Sequence, residues 1–326
     1  MKSIICLGNA LVDQVTQIEN DHTLEELSLP KGSMQLVDRE QYTKIKEYSS
    51  GLKISIQTGG SAANTANGIA NLNIKSGYIG MVGKDENGEF YIEDMRKNSI
   101  EPKFFISDST PTGSAIAFVS KDGERTFATY LGAAIELGAE HIDESLFEGY
   151  DIFHIEGYLI SNQELIQTAI NTAKSQGLKV SIDLASYNVV EENLEFIREL
   201  CKNVDIIFAN EEEAKSFSGG LEDEEALDFI ADYAEIAIVK LGKRGSLIKH
   251  NNKTYIVEET QREVKDTTGA GDMYAAGFLA GLSMNKDVET CGRMGSILAG
   301  NVIEVYGAKM DKERWKKIKQ ELDLLK

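Results

Sequence analysis

Near its C-terminal end the sequence reads Asp266-Thr-Thr-Gly-Ala-Gly-Asp-Met-Tyr-Ala-Ala-Gly-Phe-Leu-Ala-Gly281. The glycines of Gly269-Ala270-Gly271 allow the backbone to approach a ligand closely, and the small apolar residues after them predict a helix. The first turn of such a helix presents unpaired N–H groups and the positive end of the helix dipole, which together bind anions such as phosphate. Asp272 lies in this turn, where a carboxylate would repel phosphate. Its position therefore suggests a base that removes a proton from an acceptor hydroxyl while the amides hold the phosphoryl group.

The same stretch also has a purely structural interpretation. An aspartate in a first helical turn is favoured by the helix dipole, and Gly-x-Gly also occurs in tight turns with close packing. The rest of the chain has to decide between the two interpretations.

Composition limits the classes of partner. The chain has 326 residues, 34 of them basic and 53 acidic, so its formal net charge is −19. Nucleic acids and anionic membranes attract basic surfaces, so this balance argues against both as partners. A phosphorylated ligand would have to be bound locally, by backbone amides and a few cations.

The cysteines and the N-terminus indicate a cytoplasmic protein. Cys6, Cys201 and Cys291 are odd in number and lack metal-ligand spacing, which is typical of reduced thiols. No apolar run is long enough for a signal peptide or a membrane span. With three prolines and no low-complexity tract, we expect one domain over residues 1–326.

From residue 150 onward short apolar runs alternate with helical patterns. Strands alternate with predicted helices at 163–175, 191–201, 211–217 and 223–233. This alternation predicts an α/β fold with a mostly parallel sheet covered on both faces. Residues 114–120 and 125–130 predict a hairpin with Asp122-Gly123 at its turn, a candidate lid or dimer contact.

Several polar residues follow predicted strands, where ligands bind in open α/β sheets. Asp13 follows the first strand and could grip ligand hydroxyls, although for this residue taken by itself a turn-forming aspartate is the better explanation. Gly59-Gly60 lies between a strand and a small-residue helix that carries Asn64 in its first turn, a pattern that fits either ligand binding or close packing. Glu156 ends a strand and is a candidate ligand-facing carboxylate.

Two further stretches have more than one interpretation. Asn210 and Glu213 form the pattern of a helix capping box, yet acidic groups at a strand end could also hold a hydrated Mg²⁺. Gly242-Lys-Arg-Gly245 fits a hairpin turn or a nucleotide-facing loop. Its spacing does not fit a Gly-x4-Gly-Lys-Ser/Thr phosphate loop, and the sequence contains neither a dinucleotide-binding Gly-x-Gly-x-x-Gly in its first unit nor a zinc motif.

In combination these stretches resemble the signatures of the ribokinase (PfkB) family of carbohydrate and nucleoside kinases. Gly59-Gly-Ser-Ala-Ala-Asn64 and Asp266-Thr-Thr-Gly-Ala-Gly-Asp272 are similar to its paired motifs, and Asn210-x-x-Glu213 and Gly242-x-x-Gly245 to its magnesium-phosphate and nucleotide loops. The four occur in the family's order over essentially the whole chain. The resemblance implies a three-layer α/β/α sandwich with a small β-sheet lid, formed by residues of about 14–37 and 104–130.

The resemblance also implies ATP-dependent phosphorylation of a primary hydroxyl, with Mg²⁺. By motif, Asp272 would be the base for the acceptor hydroxyl, and the amides of Gly269, Ala270 and Gly271 would form the anion hole. In such a site transfer depends on positioning and charge neutralisation.

Further roles carry over in the same way. The acceptor would be held by Asp13, Gly59, Gly60 and Asn64, with Glu156 assisting. The nucleotide would lie near Asn210, Gly242, Gly245 and Asn301, and Glu213 would order Mg²⁺ through water.

Family members often bind a monovalent cation with residues like Asp266 and Thr268 and a C-terminal loop, here residues 305–310. This loop lacks the small hydroxyl residue often found there, so K⁺ dependence is left open. Gly8-Asn-Ala-Leu-Val-Asp13 and Leu131-Gly-Ala-Ala-Ile-Glu-Leu-Gly138 resemble the bacterial adenosine-kinase-like branch.

We therefore expect a kinase that acts on adenosine first, with ribose, fructose or a related free sugar as the alternative. The lid is a candidate interface for a homodimer. The alternative of another class is a non-catalytic sugar- or nucleotide-binding protein on the same fold.

Overall fold

A computed structural model describes residues 1–122 and 124–325 of the chain. Within them two β-sheets organise the fold, a large one between two layers of helices and a small one beside its edge. The expected three-layer, ribokinase-like α/β fold with a mostly parallel sheet is confirmed. Gly123, and with it part of the predicted hairpin turn, lies outside the described residues.

The large sheet has the strand order β14-β13-β12-β11-β10-β9-β1-β5-β6. All neighbours are parallel except β12 with β13 and β13 with β14. Its strands are β1 Ile4–Leu7, β5 Ser76–Gly83, β6 Ile100–Ser107, β9 Ile152–Glu156, β10 Lys179–Asp183, β11 Ile206–Asn210, β12 Ile236–Lys240, β13 Ser246–His250 and β14 Lys253–Val257.

The small sheet has the order β3-β8-β7-β2-β4. Its strands are β2 Leu11–Gln17, β3 Met34–Leu36, β4 Ile54–Gly59, β7 Gly113–Val119 and β8 Arg125–Tyr130. Strand β2 begins four residues after β1 ends, so the chain passes directly from one sheet to the other.

The helices cover both sheets. They are α1 His22–Glu26, α2 Arg39–Ser49, α3 Ser61–Asn71, α4 Glu86–Lys97, α5 Gln163–Ser175, α6 Tyr187–Glu192, α7 Leu194–Cys201, α8 Glu211–Ser218, α9 Asp223–Ile230, α10 Ala270–Ser283, α11 Val288–Val302 and α12 Lys312–Asp323. The capping interactions match the sequence signals, as when Asp311 accepts a hydrogen bond from the backbone N–H of Arg314 at the start of α12.

Alternation along the central strand divides the core in two. Successive side chains of a strand point to opposite faces. Ile4 and Cys6 of β1 belong to a cluster with side chains of α3, α4, α10, α11 and α12, whereas Ile5 and Leu7 belong to a cluster with side chains of α5 and α7 to α9. Both faces of β1 are fully buried, which explains why its sequence is a continuous apolar run.

The small sheet has a core of its own on one face. Helices α1 and α2 cover it, with Leu24, Ile45 and Phe118 among the buried side chains. Along β2 the buried residues alternate with half-buried ones, and Asp13 belongs to the half-buried face. Asp13 therefore lies on the face of the small sheet that α1 and α2 leave open.

Two expectations about the lid need correction. The predicted segment 104–130 begins inside β6, which pairs with β5 in the large sheet, so the small sheet takes only β7 and β8 from it. The small sheet also includes β4, which lies outside both predicted segments and pairs with β2. Helix α1 lies within residues 14–37, which we expected to form part of the β-sheet lid.

None of the helices in the part of the chain that the structure describes has the length and apolar composition needed to cross a membrane.

Phe208 of β11 is a test of the core between the sheet and α10. Its fully buried ring lies edge-on to that of Phe278, with centroids 5.5 Å apart. Because Phe208→Ala removes a buried ring and leaves a cavity, we expect it to lower the free energy of unfolding by about 3–5 kcal/mol, measured by urea titration. The control Ile256→Ala removes a side chain that is 64% exposed on β14 and should change the same quantity by less than about 1 kcal/mol. Equal losses in both variants would contradict this account.

Candidate active site

The site lies where the carboxyl ends of the parallel strands meet the start of α10. Gly269 caps this helix in the left-handed conformation, with φ 78° and ψ 4°. A side chain there would also meet Ala308, whose Cβ is 2.6 Å from the position of an added Cβ. Glycine thus allows the chain to turn sharply into α10. The Ala270 N–H donates to the Thr267 carbonyl oxygen at 3.1 Å, whereas the N–H of Gly271 lies in the first turn, where no intrahelical acceptor is in reach.

Asp272, in the first turn of α10, is held by the start of α3. Its Oδ1 accepts a hydrogen bond from Ser61 Oγ at 2.7 Å and its Oδ2 one from Asn64 Nδ2 at 2.9 Å. Thr65 Oγ1 donates to the Asp272 carbonyl oxygen at 3.2 Å. Burial raises the pKa of Asp272 to about 6, although the Ser61 and Asn64 bonds oppose the shift. Each carboxylate oxygen keeps a lone pair, so the group can still accept a proton from a ligand hydroxyl.

Asn64 contributes a second polar atom. Its Nδ2 is used by Asp272, but within the residues that the structure describes no donor reaches its buried Oδ1. Because a buried acceptor without a partner is costly, this atom is suited to accept a hydrogen bond from a ligand hydroxyl.

Asp13 lies on the open face of β2, close to Gly59 and Gly60. A methyl group on Gly59 would overlap the Asp13 carboxylate, and Gly60 has φ 97° and packs against the Asn9 carbonyl oxygen. Burial raises the pKa of Asp13 to about 7; the Lys309 ammonium opposes this shift, and the Asp272 carboxylate adds to it. The structure thus brings the predicted residues Asp13, Gly59, Gly60, Asn64 and Asp272 into one cluster.

Glu156 also lies here, but its oxygens bond to the protein. The side chain is 1% exposed, and it accepts hydrogen bonds from Asn9 N, Asn9 Nδ2 and Ala62 N at 2.8, 2.7 and 3.0 Å. Burial raises its pKa to about 7 while these bonds oppose the shift. In this arrangement Glu156 fixes the turn after β1 and the N-terminus of α3, and its assistance to the acceptor stays a prediction.

Asn210 and Glu213 form the capping box of α8. Asn210 Oδ1 accepts from Glu213 N at 2.9 Å, and the Glu213 oxygens accept from Asn210 N and Nδ2 at 2.8 and 2.6 Å. Glu213 is buried, and its contact with Mg²⁺ through water stays a prediction.

A cluster of charges beside the capping box was missed by the sequence reasoning. Lys240, the last residue of β12, donates from Nζ to Asp183 Oδ2 at 2.6 Å, and Asp183 is the last residue of β10. Although burial opposes the charge, Asp183 and Glu213 raise the pKa of Lys240 above its ordinary value. The signal in the sequence was a charged residue at the end of a buried apolar strand.

A cavity of about 220 Å³ opens on the other side of the α10 N-terminus. The predicted residues Gly242, Gly245, Ala270 and Gly271 line it. It is bounded further by Lys240, Lys243, Glu259, Val264, Thr267, Tyr274, Ser296, Ala299, Gly300 and Ile303. Because Gly271 is part of its wall, the cavity adjoins the cluster around Asp272 in the same helical turn.

The side chain of Asn301 is not brought into this cavity. It is fully buried in α11, and its Nδ2 bonds to the Ile297 carbonyl oxygen at 2.9 Å and to Glu321 at 3.3 Å. The predicted nucleotide contact of Asn301 is therefore corrected: its neighbours Gly300 and Ile303 line the cavity instead.

Asp266 and Thr268, the candidate cation ligands, bond to each other and to a second loop. Asp266 Oδ1 accepts from Thr268 N and Oγ1 at 3.0 and 2.7 Å, and Oδ2 accepts from Gly307 N at 2.7 Å. Arg125 of β8 completes the cluster, with Nη1 2.8 Å from Asp266 Oδ2 and its guanidinium 5.6 Å from the Tyr306 ring centroid. Although partial burial opposes ionisation, these partners keep the pKa of Asp266 below its ordinary value. Asp266, which we expected to bind a metal cation, is thus paired with a cationic side chain of the protein.

The comparisons with known proteins agree with this geometry. The profile of the pfkB family carbohydrate kinases matches residues 32–314. This chain belongs to that family. The kinase is similar over its whole length to the structure of a probable sugar kinase from Rhizobium etli CFN 42, with a TM-score of 0.87 and 33% identity over 98% of each chain.

Two further relatives bear on the reaction. The structure of adenosine kinase from Sinorhizobium meliloti has a TM-score of 0.87 and 31% identity, over 98% of this chain and 99% of that one. An uncharacterized sugar kinase of Archaeoglobus fulgidus is 31% identical over 247 residues, which are 74% of this chain and 96% of the relative. The protein is accordingly a carbohydrate or nucleoside kinase, a phosphotransferase.

The Arg125–Asp266 pair predicts how this kinase responds to K⁺. In the unaltered protein Asp266 already has a counter-charge, so replacing Na⁺ by K⁺ at constant ionic strength should change kcat by less than about twofold. Arg125→Met leaves a partly buried carboxylate without its cation, so kcat/KM for ATP should fall about tenfold and then rise when K⁺ is supplied.

The matched control is Lys121→Met, which removes the same charge from the end of the small sheet without touching Asp266. Its turnover should stay close to that of the unaltered enzyme in either salt. An equal response to K⁺ in all three proteins would show that Arg125 does not supply the counter-charge.

Proposed function

We propose that this kinase transfers the γ-phosphoryl group of ATP to the primary hydroxyl of a nucleoside or sugar, with adenosine the favoured acceptor. The observation that carries the proposal is Asp272, a partly buried carboxylate held by Ser61 and Asn64 between two sites: the cavity beyond Gly271 on one side and the Asp13 cluster on the other. Such a carboxylate can take the proton of a hydroxyl while the adjacent amides bind the transferred group.

The acceptor would be held by hydrogen bonds from the small sheet and from α3. Asp13 would accept from hydroxyl groups, and Asn64 Oδ1 has no protein partner among the described residues and would accept another. The cluster contains several carboxylates and Lys309, so it fits a polyhydroxyl group such as a ribose. Two hydrogen-bonded hydroxyls would orient the primary hydroxyl toward Asp272.

A nearby pocket with one apolar wall favours a nucleoside over a free sugar. It starts at Asn9, just before β2, and its apolar wall includes Leu131, Ala134, Ile135 and Tyr158. The rest of its lining is polar, with Ser161, Asn162, Gln163 and Glu164. Ile135 and Tyr158 are 64% and 40% exposed, so they offer apolar surface on which a flat base can lie. The similar adenosine kinase of Sinorhizobium meliloti supports this choice. The relatives described as sugar kinases support ribose, fructose or a related sugar as the second candidate.

The cofactor would be Mg²⁺ with ATP. No group of three or more His, Cys, Asp or Glu side chains within residues 1–122 and 124–325 is arranged to hold a metal ion. Mg²⁺ does not require such a group, because it binds phosphate oxygens and water and needs few protein carboxylates. Glu213 would contact its water shell, and the ion would neutralise charge on the phosphates. K⁺ is a weaker candidate because Arg125 already pairs with Asp266. The small sheet would act as a lid and offers a surface for a homodimer.

ADP release from Mg-ATP is the direct test. The panel contains adenosine, other nucleosides, ribose, fructose and phosphorylated sugars, each with unaltered enzyme and with Asp272→Asn. We expect adenosine to give the highest kcat/KM and Asp272→Asn to lower kcat by about 10²–10⁴-fold, the usual contribution of a general base. Near-normal turnover in Asp272→Asn would remove this residue from the role of base. Tight acceptor binding without ADP release would favour a binding protein.

The acceptor class can be tested separately. Tyr158→Ala removes the aromatic side chain of the pocket's apolar wall and should raise KM for adenosine by about tenfold, since base stacking on an aromatic side chain contributes roughly 1–3 kcal/mol. KM for ribose should stay within about twofold of the value for the unaltered enzyme, because ribose has no base to lose contact with. A parallel rise for both acceptors would argue against a base in this pocket.

The pH dependence follows from the two raised carboxyl pKa values. Burial disfavours the charged form, so Asp272 and Asp13 take up protons as the pH falls through about 6 and about 7. If both must be ionised, kcat/KM falls below neutral pH and approaches a slope of two logarithmic units per pH unit below pH 6. Asp13→Asn should remove the upper inflection and leave a slope of one. An unchanged profile in that variant would contradict the assignment of Asp13.

A further inference from the structure

Lys240 is a cation in an unusual place. A helix N-terminus carries a partial positive charge and favours anions, yet the Lys240 ammonium lies against the first turn of α10: a Cβ added to Gly271 would be 3.2 Å from its Nζ. Two positive groups therefore face the same point beside Asp272. A pair of this kind is stable only where negative charge is held close by.

The carboxylates around Lys240 account for part of that negative charge. Asp183 is 7% exposed and accepts from Lys240 Nζ at 2.6 Å, and its Oδ1 also accepts from the Ala185 N–H at 3.2 Å. An ammonium group has three donors. Among the described residues Asp183 is the partner that Lys240 bonds, so two N–H groups remain for something else.

The free side of the ammonium faces the cavity. Lys240 lines the cavity of about 220 Å³ together with Gly242, Gly245 and Gly271, and its side chain is 15% exposed. A group in this cavity that reached the Gly271 amide would also lie beside the Lys240 ammonium. In a chain with a net charge of −19, such local cations are needed to attract a polyanion.

From this placement we propose that Lys240 is a catalytic residue that binds the γ-phosphoryl group of ATP during transfer, with Asp183 as the positioning residue that aims its ammonium. The proposal rests on the kinase activity proposed above. In the step, the acceptor oxygen forms a bond to the γ-phosphorus, and the bond from that phosphorus to the bridging oxygen breaks. ADP leaves with the bonding electron pair, and the hydroxyl proton passes to Asp272. Lys240 neutralises charge on the γ-phosphoryl oxygens and takes no proton.

The alternative is that Lys240 only compensates the buried charges of Asp183 and Glu213. Removing one partner of a buried pair destabilises a protein through the charge that is left behind. The two roles can be separated, because Asp183→Asn in the same chain removes the carboxylate that Lys240 bonds, while Glu213 keeps its hydrogen bonds from Asn210.

Four proteins are compared: the unaltered enzyme, Lys240→Met, Lys240→Met combined with Asp183→Asn, and Lys240→Arg. We expect Lys240→Met to lower kcat by about 10²–10³-fold, the effect of removing one donor that stabilises developing charge, while acceptor KM changes less than about threefold. The double variant should regain thermal stability but not kcat. Lys240→Arg retains the positive charge and should keep more activity than Lys240→Met. A double variant whose kcat returns to within about fivefold of the unaltered enzyme would overturn the proposal.

A binding measurement separates this proposal from the proposed function. Calorimetry with Mg²⁺ gives Kd for ADP and for a non-hydrolysable ATP analogue, without any acceptor. Lys240→Met should weaken the analogue by about tenfold and ADP by less than about threefold, because ADP lacks the group that Lys240 contacts. Equal losses for both nucleotides would overturn the γ-phosphoryl contact. If no acceptor supports turnover, the proposed function fails. The difference between the effects of Lys240→Met on the two Kd values still shows whether Lys240 contacts the γ-phosphoryl group.

Discussion

The close approach of α3 and α10 is the constraint on which the site depends. Gly68 of α3 lies against Ala276 of α10, where an added Cβ would be 2.6 Å from the alanine Cβ. Small residues at this crossing let the two helices pack closely enough for Ser61 and Asn64 to reach Asp272. On its other side, α10 packs with Gly277 against the backbone of Met294 in α11. A core of small side chains thus fixes the position of the proposed catalytic carboxylate, and interiors packed to this density transmit small changes in volume.

The charges around the site explain how an acidic protein can handle a polyanion. Asp13, Glu156, Glu213 and Asp272 are carboxylates whose pKa values burial raises. Three cations from separate elements balance these carboxylates: Lys240 at the end of β12, Lys309 in the loop before α12 and Arg125 at the start of β8. Each cation has a carboxylate close by, so the positive charge is local and directed, while the surface as a whole repels anions. Nucleotide binding then depends on amides and individual side chains.

The sequence predicted the parts of the fold that depend on local patterns of apolar and polar residues. Helix α5 was placed with both of its bounds correct, and the alternation of strands and helices after residue 150 predicted the parallel sheet. Helix α2 was missed because its apolar stripe is short and most of its residues are charged or polar. The lid boundary at residue 104 was wrong because an edge strand of the large sheet and a strand of the small sheet look alike in sequence.

The site shows the same division. Motifs that are contiguous in the chain, such as Gly59-Gly60 and the turn before Asp272, could be recognised from the amino-acid sequence. Asp183 and Lys240 are 57 residues apart, and Arg125 and Asp266 belong to different sheets and loops. These contacts form because the order of the strands and the position of the small sheet bring residues together that are far apart in the sequence. No local sequence pattern specifies either. Asn301 is the opposite case. Its residue type fitted the expected nucleotide contact, but its position in α11 directs the side chain toward Glu321.

The ion pair between Arg125 and Asp266 has a consequence for how the two sheets work together. Arg125 belongs to the small sheet, and Asp266 begins the loop that leads to the amides of Gly269 to Gly271. With the small sheet in place, Arg125 balances the Asp266 charge, so the loop repels phosphate less. If the small sheet moves as the proposed lid, its docking and the binding of phosphate would favour each other, and by thermodynamic linkage this preference would be equal in both directions. The proposed lid would then respond to the nucleotide site as well as cover the acceptor.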